Sequence, residues 1–133
     1  MNYRSYLFGV ILNLIRICSY SQNSHGPLEV KYVSFSIETP FSIYPTIFDS
    51  AFVGEYKFLD IDNRDSICDL VYTYLSGFKK VKSQSVDSRV EVLYSIQNVE
   101  IIKWMNKFGI FTDGKYCYKN ENLFNFLKKS LNQ

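Results

Sequence analysis

A chain of 133 residues has room for one domain, and its formal net charge of +2, which falls to zero once residues 1–21 are removed, does not support a general attraction to nucleic acid or anionic lipid. Aromatic residues make up 17% of the chain, enough to fill a small core with large side chains and too many for a disordered protein. The single histidine, His25, leaves the usual proton-transfer and metal chemistry without its commonest participant.

Residues 1–21 have the three-part shape of a secretory signal peptide. Arg4 supplies the early positive charge, Tyr6 to Ile15 the apolar run, and Ser19-Tyr20-Ser21 the small residues before a cut. The run is too short to span a bilayer. Arg16 is the departure from that pattern, and the competing reading is an amphipathic helix with Asn13 and Arg16 on its polar face. Cleavage after residue 21 removes two basic residues and brings the net charge to zero. No later apolar stretch approaches the length of a membrane span. The expected organisation is therefore a signal peptide over 1–21, a flexible mature start over 22–28 and a single α+β domain over 29–133, in an exported protein.

Leu28 to Ile37 alternates apolar and polar residues and predicts a strand. Residues 41–53 mix helical spacing with Pro45 and two serines, which favours an irregular segment or a single turn. Glu55 to Ile61 predicts a second strand. Asp62 or Asn63 is placed to cap a helix in which Ile67, Leu70, Val71, Tyr74, Leu75 and Phe78 form one apolar stripe, with Cys68 on its flank. Residues 79–87 read as a polar connection. A final helix is capped by Asn120, presents Leu123, Phe126, Leu127 and Leu131, and carries Lys128 and Lys129 near its negative end.

Between these helices, Ser88 to Tyr118 predicts an antiparallel meander. A two-residue turn at Gln97-Asn98 pairs residues whose numbers sum to 195. Val90, Val92, Tyr94 and Ile96 then share the core face with Met105, Lys103, Ile101 and Val99. Asp113-Gly114 marks a second hairpin that sets Cys117 opposite Ile110. The whole predicts an antiparallel sheet of five or six strands with two main helices packed on one face.

The same register puts Leu93 beside Ile102 and Glu91 beside Trp104 on the opposite face. Those four residues are the candidate binding surface, with Trp104 as its anchor unless residues 41–53 or the first strand cover them. Cys68 and Cys117 are candidates for a disulfide, suited to an oxidising compartment, or for two buried thiols. No cofactor and no metal is expected. Asp60 to Asp65 places acids at alternate positions, yet Arg64, Asp65 and Val71 occupy the places where a calcium-binding helix-loop-helix needs an oxygen ligand, glycine and glutamate. No catalytic residue is singled out. Charge is divided: residues 22–78 hold three basic and eight acidic side chains, and residues 79–133 hold ten and five. Such a division can orient a partner.

The Ser-Tyr-Ser-Gln ending, Phe48-Asp-Ser-Ala-Phe52 before a strand, Asp87-Ser-Arg89 opening another, and Asp-Gly-Lys115 before a C-terminal helix together resemble a loose group of small, exported, uncharacterised Bacteroidetes proteins. The resemblance implies an exported one-domain protein and brings no activity with it. From the residues, the expected function is non-catalytic binding of a protein partner, in an inhibitor or immunity-like role at the periplasm or cell surface. The alternative is a small-ligand binder or weak enzyme using carboxylates and tyrosines in a cleft between sheet and helices.

Overall fold

The computed structural model describes residues 28–59, 61 and 66–131. The expected signal peptide, His25 and the acids Asp60, Asp62 and Asp65 lie outside the described residues. The architecture is α+β: one antiparallel sheet of seven strands with helices packed on it. The strands are β1 (Glu29–Tyr32), β2 (Lys57–Leu59), β3 (Lys79–Val81), β4 (Val90–Ile96), β5 (Val99–Met105), β6 (Ile110–Thr112) and β7 (Cys117–Lys119). Their order across the sheet is β2-β1-β4-β5-β6-β7-β3. The helices are α1 (Phe48–Ala51), a single turn preceded by a 3-10 turn at Pro45–Ile47, then α2 (Ser66–Leu75) and α3 (Glu121–Ser130).

The β4–β5 hairpin has the register its alternation predicts, from Val90 opposite Met105 to Ile96 opposite Val99. Gln97 and Asn98 both take positive φ, 50° and 62°, the backbone a two-residue turn needs to match the strand twist. The second hairpin is wider than expected. Thr112, not Ile110, faces Cys117, so four residues connect the strands. Asp113 explains the width: its Oδ1 accepts the backbone N–H groups of Lys115 and Tyr116, each at 2.8 Å, and closes a longer loop on its own side chain. The slip is two residues, so every side chain keeps its face.

Lys79–Val81, expected as a connection, is instead an edge strand paired with β7. A short lysine-bearing edge resists pairing with other chains. The first strand is shorter than its alternation, because the chain turns at Phe35 and Ser36.

α2 and α3 lie on one face. Cys68, Val71 and Leu75 from α2 and Leu123, Leu127 and Leu131 around α3 pack on Val30, Val90, Val92, Tyr94, Met105 and Phe111. The α2 stripe is rotated from the expected one. Ile67 and Leu70 are 45% and 44% exposed, while Cys68, at the same height on the helix, is fully buried. The small thiol lets α2 approach the sheet where a leucine would hold it away.

This geometry overturns the disulfide. Cys68 and Cys117 are both buried and neither is disulfide-bonded. Cys68 belongs to the core under α2, whereas Cys117 faces the other side of the sheet with Val86, Ile110 and Val81. A strand layer separates the two sulfurs, and the Cys117 Sγ instead donates to the Gln84 carbonyl at 3.3 Å.

Candidate functional site

Phe58, Lys31, Glu91, Trp104, Thr112, Cys117 and Val81 form one row across all seven strands on the outer face. The four residues of the expected binding surface are brought together here. Glu91 is directly opposite Trp104, and Leu93 directly opposite Ile102. Their surroundings differ from a bare face. The segment after β1 folds back over the row as a second apolar cluster of Val33, Ile43, Phe48 and Phe52, and Trp104 packs against it half-buried. Glu91 is buried, accepting from the Trp104 indole N–H at 2.9 Å and facing the Lys31 ammonium at 3.5 Å.

Lys31 in turn meets Asp49 on α1 at 2.8 Å and lies over the Tyr56 ring, whose hydroxyl donates to the Asp49 carbonyl. Burial alone would lower the Lys31 pKa, but the hydrogen bond to Asp49 and the charge of Glu91 raise it instead. The network ties the covering segment to the sheet. Leu93 and Ile102 lie outside the second cluster and keep partial exposure, with Phe58 58% exposed on the neighbouring edge strand.

The inner face carries a charged group among its apolar residues. Lys103 stands on the core face opposite Val92, and a lysine at a core-face position is itself the signal. Its ammonium donates to Tyr94 Oη at 3.1 Å and lies over the rings of Phe78, Tyr118 and Tyr94 at 4.7, 5.2 and 5.6 Å. Tyr118 donates to Asp113 Oδ2 at 2.9 Å. These are the carboxylate and tyrosines that a sheet-helix cleft would use, but here they bond to one another.

Burial pushes the Tyr94 hydroxyl up to about 12, and lowers the Lys103 pKa. Burial also works to raise Asp113, but the N–H groups of Tyr116 and Lys115 and the Tyr118 hydroxyl outweigh it and hold the carboxylate below its ordinary value. Tyr94 thus stays protonated and Asp113 ionised near neutral pH. Neither is tuned for general acid–base work, whose efficient pKa lies near the operating pH. Among the described residues no group of three or more His, Cys, Asp or Glu side chains is arranged to hold a metal.

The far edge of the sheet has a different character. Lys79 on β3 is directly opposite Lys119 on β7, a like-charge pair that costs stability in an antiparallel ladder. Lys80, Lys82 and Lys115 are exposed around it. Lys80 and Lys115 flank the Tyr116 ring at 3.5 and 5.0 Å. Among the described residues no carboxylate lies within ion-pair distance of these five amines. A groove of about 450 Å³ opens beside Lys79 and Lys119, walled by Tyr74 and Gly77 at the end of α2 and by Asn120 and Glu121 at the start of α3.

The chain matches no protein family model, no curated protein and no solved structure. No helix among the described residues is long and apolar enough to cross a membrane.

Proposed function

We propose that the protein is a non-catalytic, exported binding protein that recognises an acidic partner protein through the lysine-rich edge of β3 and β7. The observation that carries the reading is the Lys79–Lys119 pair, two like charges opposed at the end of the sheet with no carboxylate paired to either among the described residues. An arrangement that costs the free protein stability is offset when a partner supplies the missing negative charge. β3 is the edge strand and pairs on one side only, so its lysines are open to a partner's acidic side chains. Tyr116, held between two lysines, gives an aromatic anchor at the centre of the charge.

The charge division of the sequence supports a protein rather than a nucleic acid as the partner. The whole chain carries only +2, and after residue 21 its basic excess is confined to residues 79–133. The edge is built from lysines alone, without the arginine forks that favour bidentate phosphate contacts. An inhibitor or immunity-like role fits a small protein with one charged edge. Export rests on the pattern of residues 1–21.

The test is capture from the native cells with wild-type protein and with the Lys79→Glu, Lys119→Glu double variant. Acidic proteins should be retained by the first and lost from the second, with retention falling as salt rises. Equal retention by both would refute the reading. Salt-sensitive binding of single-stranded DNA in preference to polyglutamate would replace it with a nucleic-acid function, and self-association lost in the variant would make the partner a second copy.

A further inference from the structure

Arg89, at the start of β4, is 4% exposed, and its five donors are used unevenly. Nη1 is well satisfied, donating to Asp87 Oδ1 at 2.8 Å and to the Ser88 carbonyl at 3.1 Å. On the other side, Nε is buried with no hydrogen-bond partner. Nη2 has only two long contacts, to the Ile37 carbonyl at 3.4 Å and to Thr39 Oγ1 at 3.3 Å. Nε and Nη2 are the two nitrogens of the side-on guanidinium fork, the edge whose parallel N–H groups match the two oxygens of one carboxylate. The fork is built and buried, and among the described residues Nε has no acceptor and Nη2 only the two long ones. Leaving a buried charged donor unsatisfied is costly, so such a group in a folded protein calls for an explanation.

The same arginine lines a groove of about 680 Å³, a size that suits a small molecule. Its walls combine Phe35, Pro40 and the 62% exposed Phe41 with the Thr39 hydroxyl. Lys107, exposed at the turn after β5, is a second cation on the rim. Two carboxylates also line the groove. Asp87 is committed, its Oδ1 accepting both from Arg89 and from the Ile43 backbone N–H at 2.7 Å. Glu38 is exposed on the rim and opposes an anion. One arginine and one lysine against two acids make the lining formally neutral, which disfavours a phosphate dianion; the preference for a carboxylate rests on the shape of the fork.

We infer that this groove binds a small carboxylate with an apolar body, its two oxygens taken by Arg89 Nε and Nη2 and its body by Phe35, Pro40 and Phe41. Binding replaces the two long contacts that hold the Ile37–Thr39 segment over the fork. The site uses none of the edge lysines and stands independently of the protein-binding reading.

The test follows the Arg89 Nε–H resonance of the isotope-labelled full chain during titration with phenylacetate, with its neutral analogue phenylacetamide and with inorganic phosphate. Phenylacetate should shift that resonance saturably, and phenylacetamide should not. Lys107→Ala, at an exposed position that leaves the fold intact, should weaken the phenylacetate response about threefold. An unmoved resonance, or an equal response to phenylacetamide, overturns the assignment. A response to phosphate without one to phenylacetate overturns the choice of carboxylate and apolar body.

Discussion

Trp104 and Glu91 face each other across β4 and β5, and the indole N–H donates to the carboxylate at 2.9 Å. The pair joins the sheet to its cover, since the ring packs on the second apolar cluster while Glu91 holds Lys31. Trp104→Ala should therefore lower stability by about 3 kcal/mol, the cost of a large-to-small change in a packed cluster. Trp104→Phe keeps most of the packing but leaves Glu91 without its donor, and should cost about 1.5 kcal/mol. Denaturant melts of both variants check this. A melt of Trp104→Ala that overlays wild type would show that the ring does not hold the cover to the sheet.

Asn120 holds two helices at once. Its Oδ1 accepts from the Leu123 N–H at 3.1 Å and caps α3, while its Nδ2 donates to the Tyr74 carbonyl at 2.6 Å near the end of α2. The residue is buried, so water cannot replace either bond cheaply. Asn120→Ala should cost about 2 kcal/mol, the upper end for a helix cap. Asn120→Asp retains the cap but cannot donate to Tyr74, so it should fall between Ala and wild type. If Asp and Ala melt alike, the α2 contact rather than the α3 cap carries the effect.

Much of this fold is legible in the sequence where local chemistry decides it. The β4–β5 register follows from alternation on both strands plus one turn, and the α3 cap follows from Asn120 before an apolar face. Elements that depend on distant partners were not legible. Lys79–Val81 has no strand pattern of its own and is a strand because Cys117–Lys119 lies beside it. The second hairpin slipped by two residues because the Asp113 side chain adds two bonds that favour a four-residue loop over a two-residue turn. The α2 stripe is rotated toward Cys68 because apolar periodicity gives a face only to within about one residue's width. Of the sites, Lys103 was visible as a charge at a core-face position. The Arg89 groove was not, since its walls come from segments some fifty residues apart that only the fold brings together.

Asp113 makes an acid-sensitive contribution. Its folded pKa lies below the ordinary 3.8 because hydrogen bonds from Tyr116, Lys115 and Tyr118 outweigh burial. A depressed carboxylate stabilises the fold above its unfolded pKa, and that stability is lost as pH falls through the folded value. Asp113→Asn should therefore flatten the acid limb of the stability curve below about pH 4, with lower stability than wild type at pH 7. Parallel acid-induced and urea-induced unfolding of the two proteins measures it. An unchanged acid limb would assign the acid sensitivity to other carboxylates.

Gly109 is the position where a single methyl group should do most damage. It lies in the β5–β6 turn, where Asn106 Oδ1 accepts from the N–H groups of Phe108 and Ile110 at 3.0 and 2.9 Å and fixes the backbone path. That path gives Gly109 a φ of +83°, and a Cβ there would lie 2.7 Å from Cγ of Phe124 on α3. Two costs combine in Gly109→Ala: about 1 kcal/mol for a side chain in the left-handed region, and about 2 kcal/mol for overpacking against α3. Gly114 separates them, because its φ is +93° and nothing lies within 4 Å of its Cβ position. Gly114→Ala should cost only the backbone share, about 1 kcal/mol. Phe124→Leu in the Gly109→Ala background should recover part of the steric loss, since a smaller side chain gives the methyl group room. Equal melts for the two glycine variants would show that α3 yields to the methyl group, leaving backbone strain as the whole effect.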